Sequence, residues 1–214
     1  MKDLAIIGVG GVGRALRFFV DDVNRAGGDW RLVGFLDDDA ANHGKTIHDL
    51  PVLGSVDWLS SRPHVHGLLG IGDPANRRSV LDHLQSVSAN PPVTLIHPQA
   101  YVGASTLVGA GSVIYPGARV DPDCMLGECV LINQNATVGH DSELASLATL
   151  APLVAIGGNT RLGDGCSLGI GCSVVQGVRV GSWAVVGAGA AVISSIPDGV
   201  TAVGVPARVV GDRR

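Results

Sequence analysis

His140 and Asp141 stand side by side in the run TVGHDS, residues 137–142. Imidazole gains and loses a proton near neutrality, and a neighbouring carboxylate can hold its ring, so the pair suits general-base chemistry. His140 is the only histidine after position 97. A second chemical feature lies near the start, where Gly8-Val9-Gly10-Gly11-Val12-Gly13 fits G-x-G-x-x-G. Between a strand and a helix such a turn brings backbone N–H groups up to a phosphate. Asp37 follows at about the distance where an acid meets a ribose in dinucleotide sites. The four cysteines, Cys124, Cys129, Cys166 and Cys172, make no C-x-x-C pair and have no histidine at ligand spacing. No metal site is expected from them.

The elements that position the glycine turn alternate. Leu4 to Val9 reads as a strand, and Arg14 to Ala26 as a helix with its spacing at Ala15, Phe18, Phe19, Asp22 and Val23. Trp30 to Leu36, Val65 to Ile71 and Val93 to Ile96 read as further strands, and Pro74 opens a helix through Leu84. This βαβ order implies a small parallel sheet covered by helices. A full dinucleotide domain needs two such halves, and the 97 residues before the second half offer about one. The glycine turn therefore favours a mononucleotide or nucleotide-sugar site. An NAD site and a purely structural turn remain as alternatives.

From Tyr101 the grammar changes to a period of six. Sixteen consecutive hexads run to Ile196 without a slip of phase. The second place is Val, Ile or Leu throughout, the sixth is mostly small, and the third is often Gly. A six-residue period means stacked short strands and turns, a parallel β-helix with the second residue facing inward. Val138 is then internal and His140 projects from a corner. Cys124, Cys166 and Cys172 occupy the sixth place and are expected to be packing atoms.

The composition fits. Of 214 residues, 31 are Gly, 46% are apolar and only 4% aromatic. A narrow prism has little room for rings. The apolar share and a net charge of -4 exclude a disordered chain. With two lysines, Lys2 and Lys45, and no basic run, nucleic acid is not an expected partner. No apolar stretch reaches the length of a membrane span. The start at MKDLAIIGVGGVG does not read as a signal peptide, and a reducing cytoplasm suits the unpaired cysteines.

The hexads resemble the left-handed β-helix of hexapeptide acyltransferases, in which three hexads make one coil, so about five coils are implied. The whole chain resembles the sugar acetyltransferases that carry an N-terminal nucleotide-binding domain. The residues bearing this resemblance are GVGGVG near residue 10, FLDDD at 35–39, GIGDPANRR from Gly70, LIHPQA at 95–100, LINQNATVGHD at 131–141 and VGVPAR at 203–208. It implies a fold of two classes, α/β plus all-β: a Rossmann-like nucleotide-sugar domain over 1–97, then the β-helix with a C-terminal tail over 98–214.

The resemblance also implies roles. His140 would be the general base, assisted by Asp141, with Asn133 near the acceptor. The Gly158 N–H would stabilise the oxyanion, and Ile170 and Ala188 would contact acetyl-CoA, the co-substrate. Gly10, Gly11, Asp37, Asp38 and Gly72 would meet a nucleotide-linked amino sugar. Arg77 would lie near the phosphates or be a solvated helix residue. Homotrimers with sites between subunits are implied too. Two positions depart from the family: Val12 in the nucleotide-sugar site and Thr149 in the acetyl-CoA site stand where the family commonly has histidine, and the Thr149 hydroxyl can still donate one hydrogen bond. The expected reaction is acetylation of the amine of a UDP-, GDP- or dTDP-linked 4-amino-4,6-dideoxy sugar. O-acetylation of sialic acid or another sugar hydroxyl, a non-catalytic nucleotide-sugar sensor and an NAD-dependent oxidoreductase are the alternatives. His97 is expected to be structural. Trp183 is expected on the surface, against an adenine, a subunit or solvent.

Overall fold

The computed structural model describes residues 1–87 and 90–212. Residues 213 and 214 of the expected second domain, and 88 and 89 of the first, lie outside the described residues. Two compact units divide the chain, Met1–Pro98 and Gln99–Arg214.

In the first unit, β1 (Lys2–Ile7) leads to α1 (Gly11–Arg25) and β2 (Trp30–Leu36). A two-strand hairpin follows, β3 (Thr46–Ile47) with β4 (Leu50–Pro51), then β5 (Val65–Leu69) and α2 (Pro74–Ser86). The main sheet is parallel, in the order β2-β1-β5. It has three strands. The fourth one expected at Val93 to Ile96 shrinks to Leu95–Ile96 and lies outside this sheet. Pro91 and Pro92 precede it and lack the N–H groups a ladder needs.

Helix α1 also departs from expectation. It begins at Gly11 instead of Arg14, so the glycine motif supplies its first turn. Its buried side is Gly13, Leu16, Phe19 and Val20, while Phe18 is exposed. Gly13 sets that rotation: a Cβ there would lie 1.9 Å from the Gly8 carbonyl oxygen. Only a glycine lets the helix approach the end of β1 this closely. His97 is buried, as a structural residue should be. Its Nε2 lies 3.1 Å from Asp22 Oδ2, and its ring meets Phe19 edge-on.

The second unit is a parallel β-helix of two-residue strands, one at the first and second places of each hexad. From Tyr101–Val102 to Ser173–Val174, each strand pairs in parallel with the strand 18 residues on, as Thr137 with Ala155 and Val138 with Ile156. The face running from Tyr101–Val102 to Ala191–Val192 has six strands, so the solenoid makes about six turns. The sixteenth hexad opens this sixth turn, and Val200–Val203, paired with Val185–Val186, completes it beyond the five expected. From Ile114 onward every second-place residue is buried, and each removes about 1.5–3 kcal/mol worth of apolar surface from water.

Glycine has two separate tasks here. Third-place glycines face the next coil at close range: a Cβ on Gly139 would lie 2.5 Å from the Gly158 nitrogen. The turn itself is made at the fifth place, which is left-handed in hexad after hexad. Gly165 fills it with φ +60°, but so do Asp141 at 57°, Leu147 at 65° and Trp183 at 57°. Trp183 is not fully exposed. It is half-buried, with its ring over Gly165 one coil before, where a Cβ would come within 2.5 Å of it.

All four cysteines are free and buried. Burial pushes the Cys166 thiol up to about 12 and the Cys172 thiol up to about 11. A thiol-specific disulfide reagent at pH 8 should therefore find none of the four in the native protein, and all four after unfolding. Rapid reaction of the native protein would contradict this packing.

Candidate active site

His140 occupies the fourth place of its hexad, where the chain leaves one flat face and turns toward the next. Asp141 occupies the left-handed fifth place. That conformation is tolerable for aspartate, and here it directs the carboxylate back onto its neighbour. Asp141 Oδ2 lies 2.6 Å from His140 Nδ1. Nδ1 is thereby engaged, and Nε2 makes no hydrogen bond among the described residues. The backbone beneath is fixed, because the Asn159 N–H donates to the His140 carbonyl at 2.8 Å.

Gly158, one coil on from His140, completes this corner. A Cβ on Gly158 would lie 2.8 Å from His140 Nε2 and 2.9 Å from Cε1. The imidazole therefore rests on the bare Cα of Gly158. The Gly158 N–H has no hydrogen-bond partner among the described residues. A ring nitrogen and a backbone donor thus stand together at one solvent-facing corner. This pair can take a proton and steady a developing oxyanion. The His140 side chain is 62% exposed, so this corner alone does not exclude water.

The other predicted residues of this unit stand elsewhere on the prism. Asn133 donates from Nδ2 to the Leu150 carbonyl at 2.8 Å and makes no hydrogen bond with His140. Thr149 is buried, and its Oγ1 donates to the Leu147 carbonyl. Ile170 and Ala188 are exposed and occupy the fourth places of successive coils, so they share a corner. That is a different corner from the one carrying His140. A face of four or five residues separates the two, about 15 Å at the usual strand rise.

In the first unit the structure brings six predicted residues to one cavity of about 430 Å³: Gly10, Gly11, Val12, Asp37, Asp38 and Gly72. Gly10 and Gly11 have ordinary φ values, and a Cβ on either would meet nothing within 4 Å. The fold does not need glycine at these two places, so their bareness leaves room for an occupant. The first turn of α1 has no side-chain cap, which leaves backbone donors at the cavity. Asp37 braces this loop. Its Oδ2 accepts from the Val9 N–H at 3.1 Å, and its Oδ1 accepts from the Asp39 N–H and the Asn42 amide. Asp38 Oδ1 accepts from the Val56 N–H. Val12 packs its Cγ2 toward Gly72.

Arg77 does not line this cavity and is not a solvated helix residue. It is 2% exposed, and its Nη1 donates to the carbonyls of Ile71 and Gly72. The guanidinium holds the loop that forms one wall. Sequence reasoning missed Asp73 and Asn76 of that wall. The signal was legible in GIGDPANRR: an aspartate before proline marks a capped helix start, and Asp73 accepts from the Asn76 N–H at 2.9 Å. Among the described residues no group of three or more His, Cys, Asp or Glu could hold a metal ion. None of their helices is long and apolar enough to cross a membrane.

A β-helix of hexads behind a small βαβ unit places the chain in the hexapeptide class of transferases. Comparison with known proteins narrows this. The family described as the PglD N-terminal domain matches residues 3–84. The acetyltransferase domain of PglB from Neisseria gonorrhoeae is 30% identical. The match covers 98% of this chain and 100% of that one, with a TM-score of 0.85. That domain has also been solved in complex with acetyl coenzyme A. PerB from Caulobacter crescentus, solved with CoA and GDP-perosamine, is 29% identical over 99% of this chain and 98% of that one, with a TM-score of 0.87. WeeI from Acinetobacter baumannii, at 24% identity over 98% of this chain and 100% of that one, shares the fold with a TM-score of 0.87. No curated protein gave a significant match. The chain belongs to the hexapeptide-repeat sugar acetyltransferases.

Gly158→Ala tests the seating of the ring. Its φ is not left-handed, so alanine is allowed by the backbone, but the new methyl displaces the imidazole. Acetyl transfer should fall by about 100-fold, the scale of an ångström-sized misplacement, while the melting temperature changes little. Unchanged turnover would contradict the assigned contact.

Proposed function

We propose that this chain transfers the acetyl group of acetyl-CoA to the amino group of a nucleotide-linked 4-amino-4,6-dideoxy sugar, with His140 as general base. The observation that carries the reading is the His140 corner: Nδ1 held by Asp141, the ring seated on the bare Cα of Gly158, and a Gly158 N–H with no hydrogen-bond partner among the described residues. The PglB domain solved with acetyl-CoA and PerB solved with CoA and GDP-perosamine support the two substrates.

The reaction balances without a cofactor. The sugar amine attacks the thioester carbon while its proton passes to His140 Nε2. The carbonyl oxygen becomes an oxyanion that the Gly158 N–H can bind. The tetrahedral intermediate collapses, the C–S bond breaks, and the imidazolium returns the proton to the CoA thiolate. Asp141 keeps the ring oriented and offsets its transient charge.

In this reading the first unit is the nucleotide-sugar domain and the second the acetyltransferase domain. Gly10, Gly11, Val12, Asp37, Asp38 and Gly72 surround the nucleotide, whose diphosphate meets the start of α1. Asn133 and Thr149 serve by shaping the face beside the acetyl-CoA site, and Ile170 and Ala188 contact the coenzyme. We place the enzyme in the cytoplasm, which suits four free thiols.

A homotrimer is part of the proposal. The His140 corner and the Ile170–Ala188 corner border the same face of the prism. From the coil of His140 onward its outward residues Thr137, Ala155, Ser173 and Ala191 are all small, while Tyr101 and Arg119 stand on the two coils before. Such a face lets copies approach closely, and a neighbour's Ile170–Ala188 corner then walls the His140 corner.

His140→Ala should lower turnover at least about 100-fold, the usual scale for a general base. The assay follows thiol release with a panel of UDP-, GDP- and dTDP-linked amino sugars against sialic acid and other hydroxyl acceptors. Near-normal turnover in the variant would remove the base. Reaction with hydroxyl acceptors alone would turn the reading to O-acetylation. Ala155→Arg puts a long cation on the small-residue face. It should yield a monomer by light scattering and lose activity, whereas a wild-type monomer with full activity would overturn the trimer.

A further inference from the structure

The sixth place of the hexad is a packing position, yet it is not filled alike at the three corners of the prism. In the two coils that hold His140 and Gly158, it is Ser142 and Thr160 at the His140 corner. At the other two corners of the same coils it is Ala148, Val154, Cys166 and Cys172. Ser142 and Thr160 are fully buried, at 0% exposure. A buried hydroxyl is unfavourable unless it is hydrogen-bonded, so the partners of these two carry the question of why they are there.

Those partners converge on one peptide unit. At turns such as Gly163–Cys166 and Gly169–Cys172, the sixth-place N–H donates to the third-place carbonyl. The turn from Gly157 to Thr160 is built differently. Its sixth-place N–H, from Thr160, donates to Ser142 Oγ at 3.2 Å. The Thr160 hydroxyl takes over at the carbonyl, donating to Gly157 at 2.7 Å. Ser142 Oγ lies 3.4 Å from the same carbonyl oxygen. A trans peptide directs its C=O and its N–H in opposite directions. With the Gly157 oxygen turned onto buried hydroxyls, the N–H of that peptide unit points away from them. That N–H belongs to Gly158.

We propose that Thr160 is a positioning residue for the oxyanion donor, with Ser142 taking up the backbone N–H that closes the other turns. The inference rests on the acetyl-transfer reading given above. Thr160 is buried and reaches neither substrate, so it acts through the Gly157–Gly158 peptide. Two glycines flank that peptide bond, and glycine has the widest backbone freedom of any residue. The Thr160 hydrogen bond holds the plane of the peptide in one orientation. It also draws electron density onto the carbonyl oxygen, which makes the N–H a stronger donor as charge grows on the thioester oxygen. A donor aimed before the reaction has no reorganisation left to do in the transition state.

Thr160→Val tests this by removing the hydroxyl and keeping the shape. Val154 and Val178 already fill buried sixth places, so a coil accepts valine there. kcat should fall about 30-fold, less than the loss of about 100-fold or more that follows removal of an oxyanion donor. KM for acetyl-CoA and for the amino sugar should stay within about twofold, because the interaction is gained in the transition state. Thr160→Ser restores a hydroxyl and should recover most of the loss. The pH profile of kcat should keep its wild-type inflection in both variants, since the His140–Asp141 pair is untouched. Unchanged kcat in Thr160→Val, an equal loss in Thr160→Ser, or a displaced inflection would overturn the proposal. If the wild type acetylates no nucleotide sugar, the functional reading fails, and the amide signal of Gly158 in protein labelled with heavy nitrogen at glycine tests the lock by itself. That signal, identified by its absence in Gly158→Ala, should shift in Thr160→Val and hold in Thr160→Ser. An unshifted signal in Thr160→Val would overturn the lock.

Discussion

Backbone hydrogen bonds between residues one coil apart set every other dimension of the β-helix. The Gly139 N–H donates to Ile156 and the Gly157 N–H to Val174, each at 2.9 Å, and the pattern repeats along the prism. At third places such as Gly139 and Gly157 a Cβ would run into the next coil, so glycine recurs there, although Tyr115, Asp121 and Asn133 hold the same place on other coils. The same spacing stacks equivalent places into straight edges. His140 therefore has Gly158 directly beneath it, and the imidazole lies on a bare backbone beside an unpartnered N–H. The chemistry of the corner is a by-product of the stacking, sharpened by one glycine and one left-handed aspartate.

The first unit solves a similar problem of approach by different means. Gly13 has structural work: it lets α1 close against the end of β1 and exposes the first-turn N–H groups. Gly10 and Gly11 have no such steric duty. Around them the cavity wall carries Asp37, Asp38 and Asp73 but no lysine or arginine. An anion entering it would meet the helix start as its source of positive potential, while Asp37, Asp38 and Asp73 accept from N–H groups of the surrounding loops.

Much of this was legible in the sequence because it depends on period. The second and sixth places follow from a six-residue phase, and they set the core and put His140 outside. The cavity residues follow from a glycine motif and an acid at the end of the next strand. What failed to show was set by contacts between distant residues. The left-handed fifth place is filled by Asp141, Leu147, Leu153 and Trp183 alike, so no residue type marks it. Arg77 looks like any helix arginine until the loop carbonyls of Ile71 and Gly72 fold against it. The face of α1 was misread because Gly13, with no side chain to count, fixes the helix rotation. The hairpin at Thr46–Ile47 and Leu50–Pro51 is too short for any periodicity.

The central claim is that one hexad corner supplies both the base and the oxyanion donor. A crystal structure of the protein with a non-hydrolysable acetyl-CoA analogue and the amino-sugar nucleotide tests it most directly. The account predicts the acceptor nitrogen within about 2.6–3.2 Å of His140 Nε2, and the acetyl oxygen within a similar distance of the Gly158 nitrogen. An acceptor bound out of reach of His140, with the acetyl oxygen turned away from Gly158, would contradict it.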